Sequence, residues 1–428
     1  MSLDHRFRRG SVLWAAWILW IGWAWPSSAA PPGSVPAGTP RVPAADGEVL
    51  ETLPTSLWGS RRTIPKTAAD LDRTAANPAS AVTTATEMIR LGDESGDPRF
   101  YGYARAALRP WWDGNAVPAP ILRLRAKLKE KDHRYGDAAQ DLQRALVADP
   151  NDAQGWIELG NVHRVRGEYR RAMQAAQMAG RTGGPAAAAV ARVPVLIATG
   201  RTKQATEDLD ALLSTDDPPA SLRSWGTLMR AEVAESEGRW DDALTIYRGA
   251  DDSPTINDRI TGRHADLLLA LDRPDEALRL LTSTDEPHTD ELATLATVDQ
   301  FDNGQLLRLA MAAEAAGRHE VARRWSDVLE RRFDAIRRRG DRPHGRFEAF
   351  HRLYLRDDPA GALAIAADNW DRQKERLDAR AVLEAAIAAG DPAAADDVVR
   401  LLDDNDNRDA LLRGLIRRLP APVAGAGS

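Results

Sequence analysis

The chain has 428 residues, 43% of them hydrophobic and 28% charged, with a formal net charge of −6 and no cysteine. The missing cysteine excludes disulfides, thiolate metal sites and a lipid-modified N-terminal cysteine together. The negative balance excludes a generic nucleic-acid binder, and removing residues 1–30, which carry three Arg and one Asp, takes the charge to −8.

Residues 1–30 have the three parts of an export signal. Arg6, Arg8 and Arg9 supply the positive start, Ser11 to Trp25 form an uncharged run with five tryptophans, and Ser28 and Ala30 take the small-residue places before a cut after Ala30. The alternative is an uncleaved anchor, but an apolar run of this length falls short of the ~20 residues that a spanning helix needs. The reading is a cleaved signal peptide with no stable membrane insertion afterwards. Residues 31–64 are rich in Pro, Ala, Gly, Ser and Thr without a helical stripe, which predicts a flexible tether.

From residue 65 to 420 the apolar stripes are helical, and 421–428 is read as a disordered tail. An alanine recurs at positions 104, 138, 172, 205, 243, 277, 322, 362 and 395, with gaps of 34, 34, 33, 38, 34, 45, 40 and 33. A period near 34 built of helical segments marks stacked helix hairpins. A small residue recurs where two helices cross closely in every unit.

The strongest unit begins at Ala153. Trp156, Leu159, Gly160 and His163 form one stripe on a first helix, Gly167 breaks it, and Tyr169, Ala172, Ala176 and Ala179 form the inner stripe of a second. This resembles the tetratricopeptide repeat, W-x2-L-G-x2-Y…G-x-Y-x2-A-x3-F-x2-A, with His163 in the place of Tyr and Ala176 in the place of Phe. The unit before it has Leu122 and Ala126, then Tyr135, Ala138, Leu142 and Ala145. Later units show Ala231, Gly238, Trp240 and Ala243; Ala265 and Ala277; and Ala310, Gly317 and Ala322. The resemblance implies an all-α, right-handed superhelical solenoid of about eight or nine hairpins. In such a solenoid Gly160 and Ala172 let paired helices approach, while Trp156 and Tyr169 fill the gap between hairpins.

The stretch Ser95 to Trp112, S-G-D-P-R-F-Y-G-Y-A-R-A-A-L-R-P-W-W, predicts a helix capped by Asp97 and Pro98 and ended by Pro110-Trp111-Trp112. It is similar to the opening unit of a set of exported bacterial tetratricopeptide proteins. Asn369-Trp370 followed by Gln373, Glu375 and Asp378 is similar to their closing unit. Pro194 is expected to kink a first helix at Ala186–Thr199. Thr282–Asp302 reads as an irregular connection with a short helix at Glu291–Ala296, and a long helix at Glu320–Arg339 ends at Gly340 and Pro343. Arg408–Leu419 reads as an amphipathic cap over the last hairpin.

No convergent chemistry stands out. The eight histidines make no H-E-x-x-H or i,i+4 pair, and no P-loop, G-x-S-x-G or G-x-G-x-x-G is present, so no catalytic residue, metal ligand or cofactor is expected. His344 and His351 read as a solvated face. Nine arginines between Arg323 and Arg346 read as a solvated helix paired through Asp327/Arg331 and Asp334/Arg338.

The resemblance implies a peptide or partner protein along the concave face lined by first helices. Its groove positions fall on Gln154, Ile157, Asn161 and Arg164, on Arg123 and Lys127 one unit earlier, and on Glu232, Glu235, Asp266 and Glu314 later. Asn161 matches the clamp asparagine of cochaperone relatives. The groove would run from basic to acidic and orient a peptide. The expected function is a non-enzymatic scaffold or adaptor in the bacterial periplasm. The alternative is an enzyme or enzyme subunit of the envelope, with an active site in an irregular inter-repeat region.

Overall fold

In the computed structural model the described residues are 77–95, 98–114, 116–214, 218–250, 254–282, 301–338 and 345–420. The export signal, the tether, the cap at Asp97, the short helix at Glu291–Ala296, the stop at Gly340 and Pro343 and the tail all lie outside them.

The apolar stripes fold as antiparallel hairpins, each burying the face its neighbour presents. α1 (Pro78–Ser95) pairs with α2 (Arg99–Ala107), α3 (Ala119–Lys131) with α4 (Tyr135–Ala148), and α5 (Ala153–Val165) with the first half of α6 (Tyr169–Ala198). The second half of α6 pairs with α7 (Thr202–Leu213), α8 (Ala220–Ser236) with α9 (Trp240–Arg248), and α10 (Pro254–Ala270) with α11 (Pro274–Thr282). Then come α12 (Asn303–Ala315) with α13 (His319–Arg338), and α14 (Gly345–Leu355) with α15 (Pro359–Arg372). The last hairpin joins α16 (Arg376–Ala389) to a 3-10 turn at Pro392–Ala395, which leads into α17 (Asp396–Asp404), and α18 (Ala410–Ile416) follows. That makes nine hairpins among the described residues, an all-α solenoid.

All nine recurrent alanines are buried with at most 1% of their surface exposed. Each sits on the second helix of its unit or, for Ala395, on the turn that leads into it. A side chain of any size there would hold the two backbones apart, so the period in the sequence is the period of the crossings. A methyl added at Gly160 would meet the Ala172 carbonyl and the Ala175 methyl at 3.5 Å, which is ordinary contact. Alanine therefore fits at this crossing, and only longer side chains overfill it. Leu159 is buried, while half-buried Trp156 touches two apolar clusters and donates from Nε1 to the Pro150 carbonyl at 2.9 Å. Trp156 thus fills the gap between hairpins. Tyr169 is half-buried beside Arg164 and Glu375.

Turn glycines at 167, 200, 238 and 317 have positive φ, which lets first and second helices reverse tightly. The kink expected at Pro194 is displaced. The non-helical residue of α6 is Gly184 (φ 79°, ψ −172°), and the helix then runs through Pro194 to Ala198. Gly-Pro at 184–185 starts a new helix, whereas an interior Pro only deletes one bond. His133 sits in the turn between α3 and α4 with a positive φ of 57°. His351 does not lie on a solvated face. It is fully buried, its Nε2 lies 3.1 Å from the Ser326 carbonyl, and its ring packs edge-on to Phe333.

First helices stack in a row, with α8, α10, α12, α14 and α16 each packed on the next. α18 covers α16 as a terminal helix, but it also returns to α8. The apolar residues reflect this closure. One cluster spans Val193 to Leu415, while residues 81–128, 126–162 and 176–191 form three smaller ones.

Candidate protein-binding face

The first helices of the N-terminal units carry paired charges. Arg123 on α3 holds Glu158 on α5 in a two-point grip at 2.8 and 3.0 Å and reaches Asp152 at 3.0 Å. Lys127 and Lys131 converge on Asp93 of α1 at 3.2 and 2.7 Å. Burial works against the Asp93 charge, but the two lysines and the Tyr101 hydroxyl hold its carboxyl below the ordinary value. Lys127 keeps 48% of its side chain in solvent and Arg123 keeps 29%, so these cations line an open surface. Glu130, on the same helix, is pushed up to about 7 by burial and then by the Glu158 charge. Ile157 packs against the apolar cluster of Ala176, Ala179 and Ala191, so it is a contact between hairpins.

Asn161 and Arg164 are placed differently from expectation, because the chain itself occupies them. Arg164 Nη2 donates to Asn161 at 2.9 Å and to Glu375 at 3.0 Å, 211 residues along the chain. The link between α15 and α16 is extended, with Gln373 at φ −135°, ψ 120° and Glu375 at φ −95°, ψ 165°. Between them the Lys374 amide donates to the Val165 carbonyl at 2.7 Å. The Tyr135 hydroxyl donates to Gln373 Oε1 at 3.2 Å, and Arg346 grips Glu375 at 2.9 Å. Burial opposes the Glu375 charge, but Arg346 and Arg164 hold its carboxyl far below the usual range. Asp378, beneath it, is pushed up to about 7 by burial, partly offset by Arg346 and reinforced by Glu375. It accepts from Asn369 at 2.8 Å and from the Glu375 amide at 3.1 Å, a capping box for α16.

The acidic half of the expected groove is also spoken for. Glu232 pairs with Arg263 at 3.4 Å, and Asp266 takes a two-point grip from Arg308 at 2.7 and 2.8 Å. Glu235 is buried, bound by the Tyr247 hydroxyl and by Arg376, whose Nε reaches Asp409 at 2.5 Å. Glu235 is therefore a structural anion between α8, α16 and α18, and it is not a groove residue open to a ligand. In the arginine-rich stretch 323–346, Asp334 pairs with Arg337 and Asp327 with Arg356 beyond it, in place of the expected i,i+4 partners. Arg346 turns inward to Glu375.

The sequence singles out Asn369, Gln373, Glu375 and Asp378 as similar to a closing unit, without assigning partners to them. The signal for closure was their polarity, since four hydrogen-bonding side chains need partners when buried. Their partners lie in distant units, which periodicity does not reveal.

Elsewhere, a cleft of about 830 Å³ lies between Ala116–Pro118 and α4, lined by Leu122, Gln140, Gln143, Arg144 and Val147. Its lining has no carboxylate, histidine or nucleophile. Among the described residues no group of three His, Asp or Glu is arranged to hold a metal, and no helix is long and apolar enough to cross a membrane.

The hairpin geometry, the buried alanines and the Trp156–Ala172 signature agree on one architecture. The fold is a tetratricopeptide-like array. No protein-family model matches the chain, and no curated protein matches it. Three solved structures are similar at low identity. The APC/C hetero-tetramer Cut9–Hcn1 matches at 12% identity, covering 83% of this chain and 67% of that one, with a TM-score of 0.43. The P58(IPK) TPR domain matches at 14% identity, over 78% of this chain and 97% of that one, with a TM-score of 0.21. Naa15/Naa10 bound to HypK-THB matches at 16%, over 84% and 66%, with a TM-score of 0.24.

Proposed function

We propose that the protein is a non-enzymatic interaction scaffold of the bacterial cell envelope. Its partner is a protein or peptide held on the first-helix face of the N-terminal units. The carrying observation is the open cationic ladder of Arg123, Lys127 and Lys131, set over Asp93 and Glu158 on α1, α3 and α5. Apolar side chains are consumed between hairpins, so polar side chains and charge set the specificity of this face. The export signal read in residues 1–30 supports the periplasm as its location, and the negative net charge speaks against nucleic acid as a partner.

The test is affinity capture from envelope extract with residues 31–428, beside a Lys127→Glu/Lys131→Glu version. Arg164 is left unchanged because it holds Glu375. Loss of a specific partner at unchanged circular dichroism supports the reading, and equal capture by both proteins overturns it.

A further inference from the structure

The junction between the N-terminal and C-terminal hairpins differs in kind from the packing elsewhere. On either side of it the hairpins share large apolar clusters as well as ion pairs, and these clusters divide between Ala191 and Val193. Across the junction lie a backbone hydrogen bond, the Tyr135–Gln373 and Arg164–Glu375 side-chain contacts, and limited apolar touches of Leu401 near Gly167 and of Met173 on the larger cluster. The chain crosses this divide within α6, a few residues past Gly184, whose backbone is non-helical.

The segment at the junction is bound as a peptide ligand would be. Gln373 to Glu375 is extended, its central amide pairs with a helix-end carbonyl, and its two outer side chains reach Tyr135 and Arg164 in opposite units. The seat is also incompletely satisfied. Arg164 Nε is buried without a hydrogen-bond partner, because Glu375 takes only Nη2. A carboxylate free to reorient would take Nε and Nη2 together, the stronger two-point grip of an arginine.

We propose that Tyr135, Asn161, Arg164 and the Val165 carbonyl form a binding seat for an extended peptide that carries one carboxylate side chain, a seat that the chain's own Gln373–Glu375 segment fills in cis. An incoming peptide with an acidic side chain two positions after a polar one displaces this segment and frees the N-terminal hairpins from the Gln373–Glu375 contacts. This rests on the scaffold reading but uses different residues from the Lys127/Lys131 face.

The test is fluorescence anisotropy with a labelled peptide of residues 371–377, titrated into residues 31–428. A tethered segment competes at an effective concentration of order mM, so its removal unmasks the seat. Gln373→Ala/Glu375→Ala is expected to bind the peptide at least about tenfold more tightly than wild type, and adding Arg164→Ala abolishes binding. Equal weak binding by wild type and a fully helical double variant overturns the proposal, as does tight binding that survives Arg164→Ala. Should the double variant lose helicity, hydrogen exchange on wild type decides the matter. Faster exchange of the Lys374 amide under millimolar peptide supports displacement, and unchanged exchange overturns it. Capture through Lys127 and Lys131 is measured separately, so failure here leaves the scaffold reading standing.

Discussion

Replacing Arg376 by methionine removes the cation that ties α8 to α16 and α18. Arg376 is 19% exposed, and the two carboxylates it holds, Glu235 and Asp409, are each 4% exposed. Glu235 then keeps the Tyr247 hydroxyl, and Asp409 keeps the Leu412 amide that it caps. Each retains one bond but loses its counter-charge in a low-dielectric site. Breaking a buried pair from one side costs about 3–5 kcal/mol, mostly because the orphaned charge stays buried. The expected loss falls in that range at pH 7. It shrinks on acidification, since Glu235, left with Arg263 and the Tyr247 hydroxyl against its burial, takes up a proton more readily than in the wild type. Glu235→Gln/Arg376→Met recovers part of the loss, because Glu235 then carries no orphaned charge while Asp409 still does. Urea unfolding gives the total, and hydrogen exchange of the Ala410–Ile416 amides locates it, which matters in an array that unfolds in parts. A single variant within about 1 kcal/mol of wild type, or a double variant no better than the single, refutes the buried-pair argument.

Stability should also rise modestly between about pH 4 and 6.5 and level off above about pH 7. His133, His264 and His351 are each held down to about 4, chiefly by burial, so the fold binds fewer protons than the open chain between pH 4 and 6.5. Their contribution is complete above 6.5 and lost as the pH falls toward 4. Glu130 and Asp378, raised to about 7, oppose this over much of the same range, since their contribution is full only below their ordinary values and is lost as the pH rises to about 7. A melting temperature that climbs steadily to pH 9 would contradict this, and His351→Gln should flatten the acid limb. Gly160→Ala should stabilise by about 0.5–1 kcal/mol in urea unfolding, because the methyl finds ordinary contacts and alanine favours the helix. A loss there would show that the crossing is tighter than its geometry. Gly200→Ala should destabilise by more than about 1 kcal/mol, since Gly200 has φ +66° and its α-carbon abuts the Asp406 backbone. Trp156→Ala should cost about 3 kcal/mol, the low end for a large aromatic, because half-buried Trp156 loses packing on two clusters and its bond to Pro150.

Ala138, Ala243 and Ala277 were readable as crossings before any coordinates, and so were the turn at Gly167 and the gap-filling Trp156. These features depend on neighbours within one hairpin or the next, and local spacing carries that information. Asn161, Arg164, Glu232 and Glu235 were placed on first helices correctly, but their availability was not legible. A groove position is exposed only if nothing folds back over it. Glu375 reaches Arg164 across 211 residues, and Arg376 reaches Glu235 across 141. The Asn369–Asp378 motif announced buried polar groups without naming their partners. Repetition alone, then, determined an all-α array and the phase of its helices, because each hairpin is stabilised by its immediate neighbours. Which polar residues stay open to a partner was decided only by tertiary closure. Charges distant in sequence pair when burial leaves them no water to bind, and no period in the chain encodes that meeting.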